Sequence, residues 1–269
     1  MRSLLFVPGD RPDRFAKAAT SGADALILDL EDSVSLQNKT KARDAVAQYL
    51  GQPRALPLLV RINPASRDED LAAVLPHKPD AIVLPKAEGA RSVLELALLL
   101  GGIKILPIAT ETPRAVFQLG SYTDVASHLF GLTWGAEDLP AAIGASTSRE
   151  GDGRFTAPYE MVRGLALFAA HAADTAAIET VYPDFKDLAG LEAMAARARR
   201  DGFTAMMAIH PAQVSVINAA FTPTPAELAW AQSVIAAFAA NPNAGVLQLD
   251  GKMIDAPHLK AAQRLLARV

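Results

Sequence analysis

Short apolar runs recur along the chain, and nearly every one ends in a charged or turn residue. They read LLFVPGD (4–10), ALILDLED (25–32), LLVRIN (58–63), AIVLPK (81–86), ILPIATE (105–111), LFGLTWGAED (129–138), AAIETVYPD (176–184) and TAMMAIHP (204–211). Most are followed by a stretch with helical patterning. That alternation predicts parallel strands buried on both faces. Eight such units predict an α/β chain folded as a (β/α)8 TIM barrel, whose chemistry gathers at the C-terminal rim of the strands. The spacing agrees: 29 residues separate Asp32 from Arg61, 25 separate Arg61 from Lys86, 25 separate Lys86 from Glu111 and 27 separate Glu111 from Asp138. One strand, loop and helix need about that many. A doubly wound open sheet would carry a glycine fingerprint after its first strand, and none follows Val7-Pro8-Gly9-Asp10.

The pattern changes after the eighth run. Nearly 60 residues remain there, where one helix would need about 15. Thr224-Pro225-Ala226-Glu227 is a helix start, with a Thr N-cap, Pro at the first position and an acid in the first turn. The helix runs to about Ala240, and Asn241-Pro242-Asn243 breaks it. An extended piece (246–249) and a last helix (256–269) follow. The division predicted is a (β/α)8 barrel over 1–222 and a C-terminal helical extension over 223–269 that packs on the barrel or on a neighbouring subunit. A polar loop (145–154) between the sixth and seventh strands is a candidate cover for the rim.

Composition narrows the function. The 269 residues fit one barrel domain, and 51% hydrophobic content supplies its core. A net charge of -3 argues against nucleic acid or an acidic membrane surface as the main partner. With no cysteine there is no thiolate nucleophile and no zinc–sulfur site, so any metal is held by oxygen or imidazole. The chain runs into its first strand without a signal-like segment, and the apolar run at 94–100 is too short to span a bilayer. A cytoplasmic enzyme is the expectation.

Glu111 and Asp138 close adjacent strands, so their side chains can converge. Two carboxylates there suit a hard cation such as Mg2+. The alternative is that each caps the helix that follows it. Arg61 ends the third strand. Its partner is either Glu31 or Asp32, or a substrate carboxylate gripped by the guanidinium fork. Lys86 is a possible Schiff-base lysine, but partnership with the acidic cluster is preferred. Asp29, Glu31 and Asp32 are placed to hold metal-bound waters. Arg11, Arg14 and Lys17 in the first loop form either a phosphate receptor or a solvated helix start. His210 is either a base or a buried, hydrogen-bonded histidine.

Together these segments resemble the citrate lyase beta-subunit family, within the HpcH/HpaI aldolase group that includes malyl-CoA and citramalyl-CoA lyases. The resemblance rests on Leu5-Phe6-Val7-Pro8-Gly9, Leu28-Asp29-Leu30-Glu31-Asp32-Ser33-Val34, Arg61-Ile62-Asn63, Leu84-Pro85-Lys86, Glu111-Thr112, Gly135-Ala136-Glu137-Asp138-Leu139, Ile209-His210-Pro211-Ala212-Gln213 and Gly251-Lys252-Met253-Ile254-Asp255-Ala256-Pro257, in that order. It implies a Mg2+-dependent lyase that splits a 3-hydroxyacyl thioester into a 2-oxo acid and an acyl thioester. It further implies Glu111 and Asp138 as metal ligands, with Glu111 also at the substrate, and Arg61 on the oxo acid. Phe6, Arg11 and Lys17 would lie at the coenzyme A moiety. Asp255 would reach a neighbouring subunit's site as base or proton relay, in a trimer or hexamer. The thioester carrier would be coenzyme A or a carrier protein. One departure is Ala205-Met206-Met207-Ala208, where many relatives carry Gly-Lys. Alternatives are the lyase component of a multi-subunit citrate lyase, a non-thioester aldolase, or a catalytically silent binding subunit.

Overall fold

The computed structural model describes residues 1–267. Eight parallel strands form one sheet: β1 (Ser3–Pro8), β2 (Ala25–Asp29), β3 (Leu58–Arg61), β4 (Ala81–Leu84), β5 (Lys104–Pro107), β6 (Leu132–Thr133), β7 (Ala177–Glu179) and β8 (Ala205–Ala208). They follow chain order around the sheet, and β1 pairs with both β2 and β8. Bridges Ile105–Leu129 and Ile108–Thr133 close the seam between β5 and β6. The molecule is therefore the (β/α)8 barrel that the alternation predicts.

The continuous apolar runs exist because both faces of each strand are covered. Leu4, Ile27, Leu59, Val83, Leu106 and Met207 point into the barrel. Their chain neighbours Leu5, Leu26, Leu28, Val60, Ile82 and Ile105 point out at the helices. Full burial of each such aliphatic side chain contributes about 1.5–3 kcal/mol. The surrounding helices are α1 (Phe15–Ala19), α2 (Lys39–Leu50), α3 (Arg67–Val74), α4 (Ala90–Leu100), α5 (Pro113–Val116), α6 (Asp138–Ile143), α7 (Ala157–Ala172), α8 (Leu188–Asp201) and α9 (Pro211–Phe221). In α4, Val93, Leu96 and Leu100 fall on the inner face at helical spacing, while Leu98 is 87% exposed.

The strands are shorter than the apolar runs. β5 stops at Pro107 and β6 at Thr133, whereas the runs continue to Glu111 and Asp138. Apolarity persists because the chain beyond the ladder still crosses the buried rim: Ala109 N–H donates to the Thr133 carbonyl at 2.9 Å.

The chain divides into two compact units, the second beginning at Thr222. That unit comprises α10 (Pro225–Ala240), β9 (Val246–Leu249), β10 (Lys252–Asp255) and α11 (Ala256–Leu266). Thr224 caps α10 as the sequence predicts, and Glu227 reaches back to make the cap a reciprocal capping box. β9 and β10 pair antiparallel around Asp250-Gly251, both with positive φ (48° and 76°). An Asp-Gly pair is a hairpin signal, and it could have exposed β10, which the sequence reading left out. Ala231, Val234, Ile254 and Ala262 make a small core of the unit's own. Arg268 and Val269, the end of the last predicted helix, lie outside the described residues. Among those described, no helix is long and apolar enough to cross a membrane.

Candidate active site

Register places the first functional pair. Asp29 and Arg61, the last residues of β2 and β3, stand directly opposite each other. Arg61 donates from Nε to Asp29 Oδ1 and from Nη2 to Asp29 Oδ2, both at 2.7 Å. Asp29 also accepts the Glu31 N–H at 2.9 Å, the Ser33 N–H at 3.1 Å and the Ser33 hydroxyl at 2.5 Å. Burial alone would raise its pKa. The Arg61 hydrogen bonds and charge, with those local donors, hold the carboxyl below its usual range. The expected partners of Arg61 were Glu31 and Asp32, so the structure corrects the order. Glu31 Oε2 lies 3.0 Å from Nη1, and Asp32 is peripheral at 3.9 Å. The guanidinium rests over the Phe6 ring, 4.9 Å from its centroid. Asp29 occupies the Nε–Nη2 edge, and Glu31 already faces Nη1, so a substrate carboxylate meeting the Nη1–Nη2 edge would share it with Glu31.

Glu111 and Asp138 do not end strands. Glu111 lies in the loop after β5, and Asp138 is the first residue of α6. Neither caps a helix. Thr112 caps α5 by accepting the Ala115 N–H at 3.2 Å, and no side chain caps α6. Glu111 is 4% exposed. Its Oε2 accepts the Lys86 N–H at 2.5 Å. Among the described residues its Oε1 has no hydrogen-bond partner. Burial, with the neighbouring charges of Asp138 and Glu31, pushes its pKa up to about 8. A Cβ at Gly135 would stand 2.7 Å from Glu111 Cγ, so only glycine lets this loop pass so close. Lys86 Nζ bonds Glu31 Oε1 at 2.6 Å and lies 3.8 Å from Asp138 Oδ1. Held as an ammonium among acids, Lys86 is the structural partner preferred above, not a Schiff-base amine.

Asp29, Arg61, Glu111 and Asp138 line a cavity of about 290 Å³ with Phe6, Ile108, Trp134 and Met207, while Lys86 and Glu31 stand behind its lining. Among the described residues no three acidic or imidazole groups gather into a complete metal cage. Two carboxylates with the remaining positions open to water and substrate oxygens match what Mg2+ takes. The oxygen-only donor set, and a Glu111 carboxylate with one oxygen held by the Lys86 N–H and the other without a hydrogen bond among the described residues, fit that ion.

Other candidates divide. Phe6 lines the cavity, but Arg11 and Lys17 are exposed outside it, and Arg11 pairs with Asp13 at 2.9 Å. His210 is exposed and stacks on Phe185, with ring centroids 4.8 Å apart, so it is neither buried nor in the cavity lining. Ala205, Met206, Met207 and Ala208 are all buried within β8. Loop 145–154 borders a different cleft of about 1090 Å³, between it and α7 and α8. Its link to the rim is Arg149, which lies over the Phe155 ring at 4.2 Å and 3.8 Å from Glu137. Asp255 belongs to the second unit, where its Oδ1 lies 2.5 Å from His258 Nδ1 at the start of α11. Sequence reasoning missed the support beneath the cavity. Trp134 donates from Nε1 to the buried Glu179 at 2.5 Å, and Arg163 donates to the same carboxylate at 2.7 Å. A charged residue closing the β7 ladder was the available signal.

An (β/α)8 barrel with a carboxylate pair and an arginine at its rim defines a class of lyase and aldolase. The chain belongs to the HpcH/HpaI aldolase/citrate lyase family, whose profile matches residues 2–211. It is 38% identical to a citrate lyase subunit beta-like protein of Mycobacterium tuberculosis, over 98% of this chain and 94% of the relative. It is 34% identical to a (3S)-malyl-CoA thioesterase of Cereibacter sphaeroides, over 99% and 94%. CitE from Mycobacterium tuberculosis, solved with magnesium, acetoacetate and coenzyme A, superposes with a TM-score of 0.83 at 36% identity, covering 99% of this chain and 97% of that one. The family and the enzyme class expected from the motifs are thus met, and magnesium is the ion a solved relative holds.

Proposed function

We propose that the protein is a Mg2+-dependent lyase that cleaves, or forms, the carbon–carbon bond of a 3-hydroxyacyl thioester of the malyl, citramalyl or citryl type. The products of cleavage are a 2-oxo acid and an acyl thioester. The observation that carries this reading is Glu111 and Asp138, two carboxylates that cap no helix, facing one cavity with Arg61.

Glu111 and Asp138 would hold the ion, which supplies Lewis-acid polarisation of the substrate hydroxyl and carboxylate oxygens when bound. Arg61, fixed by Asp29, orients the carboxylate of the oxo-acid half through its Nη1–Nη2 edge, in place of or beside Glu31, and stabilises negative charge at the rim. A base removes the hydroxyl proton, the carbon–carbon bond breaks, and its electron pair passes to the thioester enolate, which is then protonated. Asp255 of a neighbouring subunit is the base or relay in this reading, in a trimeric or hexameric assembly. Phe6 at the cavity, Arg11 on the loop after β1 and Lys17 on α1 would receive the carrier, as free coenzyme A or as a carrier-protein arm.

Thioester hydrolysis is the second reading, since a relative named as a malyl-CoA thioesterase aligns over 99% of the chain. Product analysis separates the two. With malyl-CoA, citramalyl-CoA and citryl-CoA, lyase activity yields a 2-oxo acid and an acyl-CoA, whereas hydrolysis yields the hydroxy acid and free coenzyme A. A non-thioester hydroxy-oxo acid completes the panel. Glu111→Ala and Asp138→Ala should each abolish Mg2+ binding and turnover with the circular dichroism spectrum retained. Full turnover in either variant would refute the assignment.

A further inference from the structure

Lys86 lies two residues beyond β4, with φ at 52°. A long side chain in the left-handed region is uncommon, and such outliers persist where the surroundings over-determine them. Here the turn has two consequences. It aims the Lys86 N–H at Glu111 Oε2, and it sends the side chain toward two other acids, with Nζ 2.6 Å from Glu31 and 3.8 Å from Asp138. One residue thus fixes one carboxylate of the pair through its backbone and approaches the other through its charge. The side chain is 39% exposed, so the ammonium can withdraw toward solvent while the backbone bond stays.

We propose that Lys86 is a resident competitor for the cation: its ammonium balances the Glu31–Asp138 acids and lowers Mg2+ affinity, while its N–H presents Glu111 in both states. The proposal rests on the Mg2+ reading of Glu111 and Asp138. Like charges a few ångströms apart repel, and partial exposure screens but does not cancel that repulsion. A purely structural lysine would act oppositely, because its loss would loosen the acids and weaken the cation.

The test is Mg2+ titration calorimetry on the full-length protein. Lys86→Gly keeps the left-handed turn and its N–H while removing the ammonium. Lys86→Met removes the charge at similar length. Both should bind Mg2+ about threefold to tenfold more tightly than the parent, and Lys86→Arg should match the parent. Unchanged or weaker binding in Lys86→Gly and Lys86→Met would overturn the proposal. A parent site that survives Glu111→Ala would instead refute the metal reading beneath it, and the proposal with it.

Discussion

Arg61 is useful only in the orientation Asp29 gives it. The planar fork meets the Asp29 carboxylate with two parallel bonds, and an ammonium cannot reproduce both while still facing the cavity. Arg61→Lys should therefore lower kcat/KM by roughly 10²-fold, the size of effect a misplaced binding group produces. Calorimetry with pyruvate or glyoxylate in the presence of Mg2+ should show weakened binding, and parental affinity would reduce Arg61 to a structural ion-pair partner. The same pair sets a pH dependence. The folded-state pKa of Asp29 is depressed, so its contribution is present above the ordinary carboxylate range of about 4 and is lost as pH falls through the lower folded value. Asp29→Asn should flatten the decline of Tm between pH 5 and pH 3 relative to the parent, at the expense of stability at neutral pH. An unchanged acid slope would show that other groups carry it. Arg61, Glu111 and Asp138 were legible in the sequence because charges stand out against apolar runs. That Asp29 is the main partner of Arg61 was not legible, because it depends on the β2–β3 register. The φ of Lys86 was not legible either, because nothing local demands it.

At the scale of elements, Asp29 and Arg61 end their strands, whereas Glu111 and Asp138 lie beyond theirs, and that part of the rim is held from below. Glu179, which closes β7, is fully buried and receives the Trp134 indole N–H and the Arg163 guanidinium. Arg163, from α7, continues to Asp201 at the end of α8, at 2.7 Å. Three elements, β7, α7 and α8, are thereby tied to Trp134 in the loop that carries Gly135 and leads to Asp138. Burial raises the Glu179 pKa, against the opposing charge of Arg163 and the Trp134 hydrogen bond. Glu179→Ala would leave a buried guanidinium with one carboxylate partner and a buried indole with none. It should destabilise the protein by about 3–5 kcal/mol in chemical denaturation. A loss below about 1 kcal/mol, the scale of a surface ion pair, would mean the network relaxes around the gap. Hydrophobic period located every barrel strand. It could not show that an arginine within an alanine-rich helix faces inward, because Arg163 is buried only through partners distant in sequence.

For the whole molecule, repeated units of 25 to 29 residues made the barrel legible before any contact was known, because both faces of a parallel sheet must be apolar. An assembly would not be legible by that route, since nothing periodic marks a surface that meets another subunit. The remaining question is what the second unit contributes. It has its own small core, and Asp255 sits at its hairpin-to-helix junction beside His258. That contact holds the Asp255 carboxyl below its usual range, so it is ionised at neutral pH but a weak base while His258 is bound, and service as base or relay requires that contact to be exchanged for the substrate. Closed symmetric oligomers let one subunit's tail complete the next subunit's barrel. On that reading an Asp255→Ala protein and a Glu111→Ala protein are each inactive for separate reasons. After subunit exchange at equal ratio, half the barrels keep Glu111 and half of the tails reaching them keep Asp255. About a quarter of parental activity should then return, if pairing is random. Exchange is verified by mass spectrometry of differently labelled subunits. No recovery despite proven exchange would place Asp255 at its own barrel or outside the reaction, and the capping contact with His258 would then be its role.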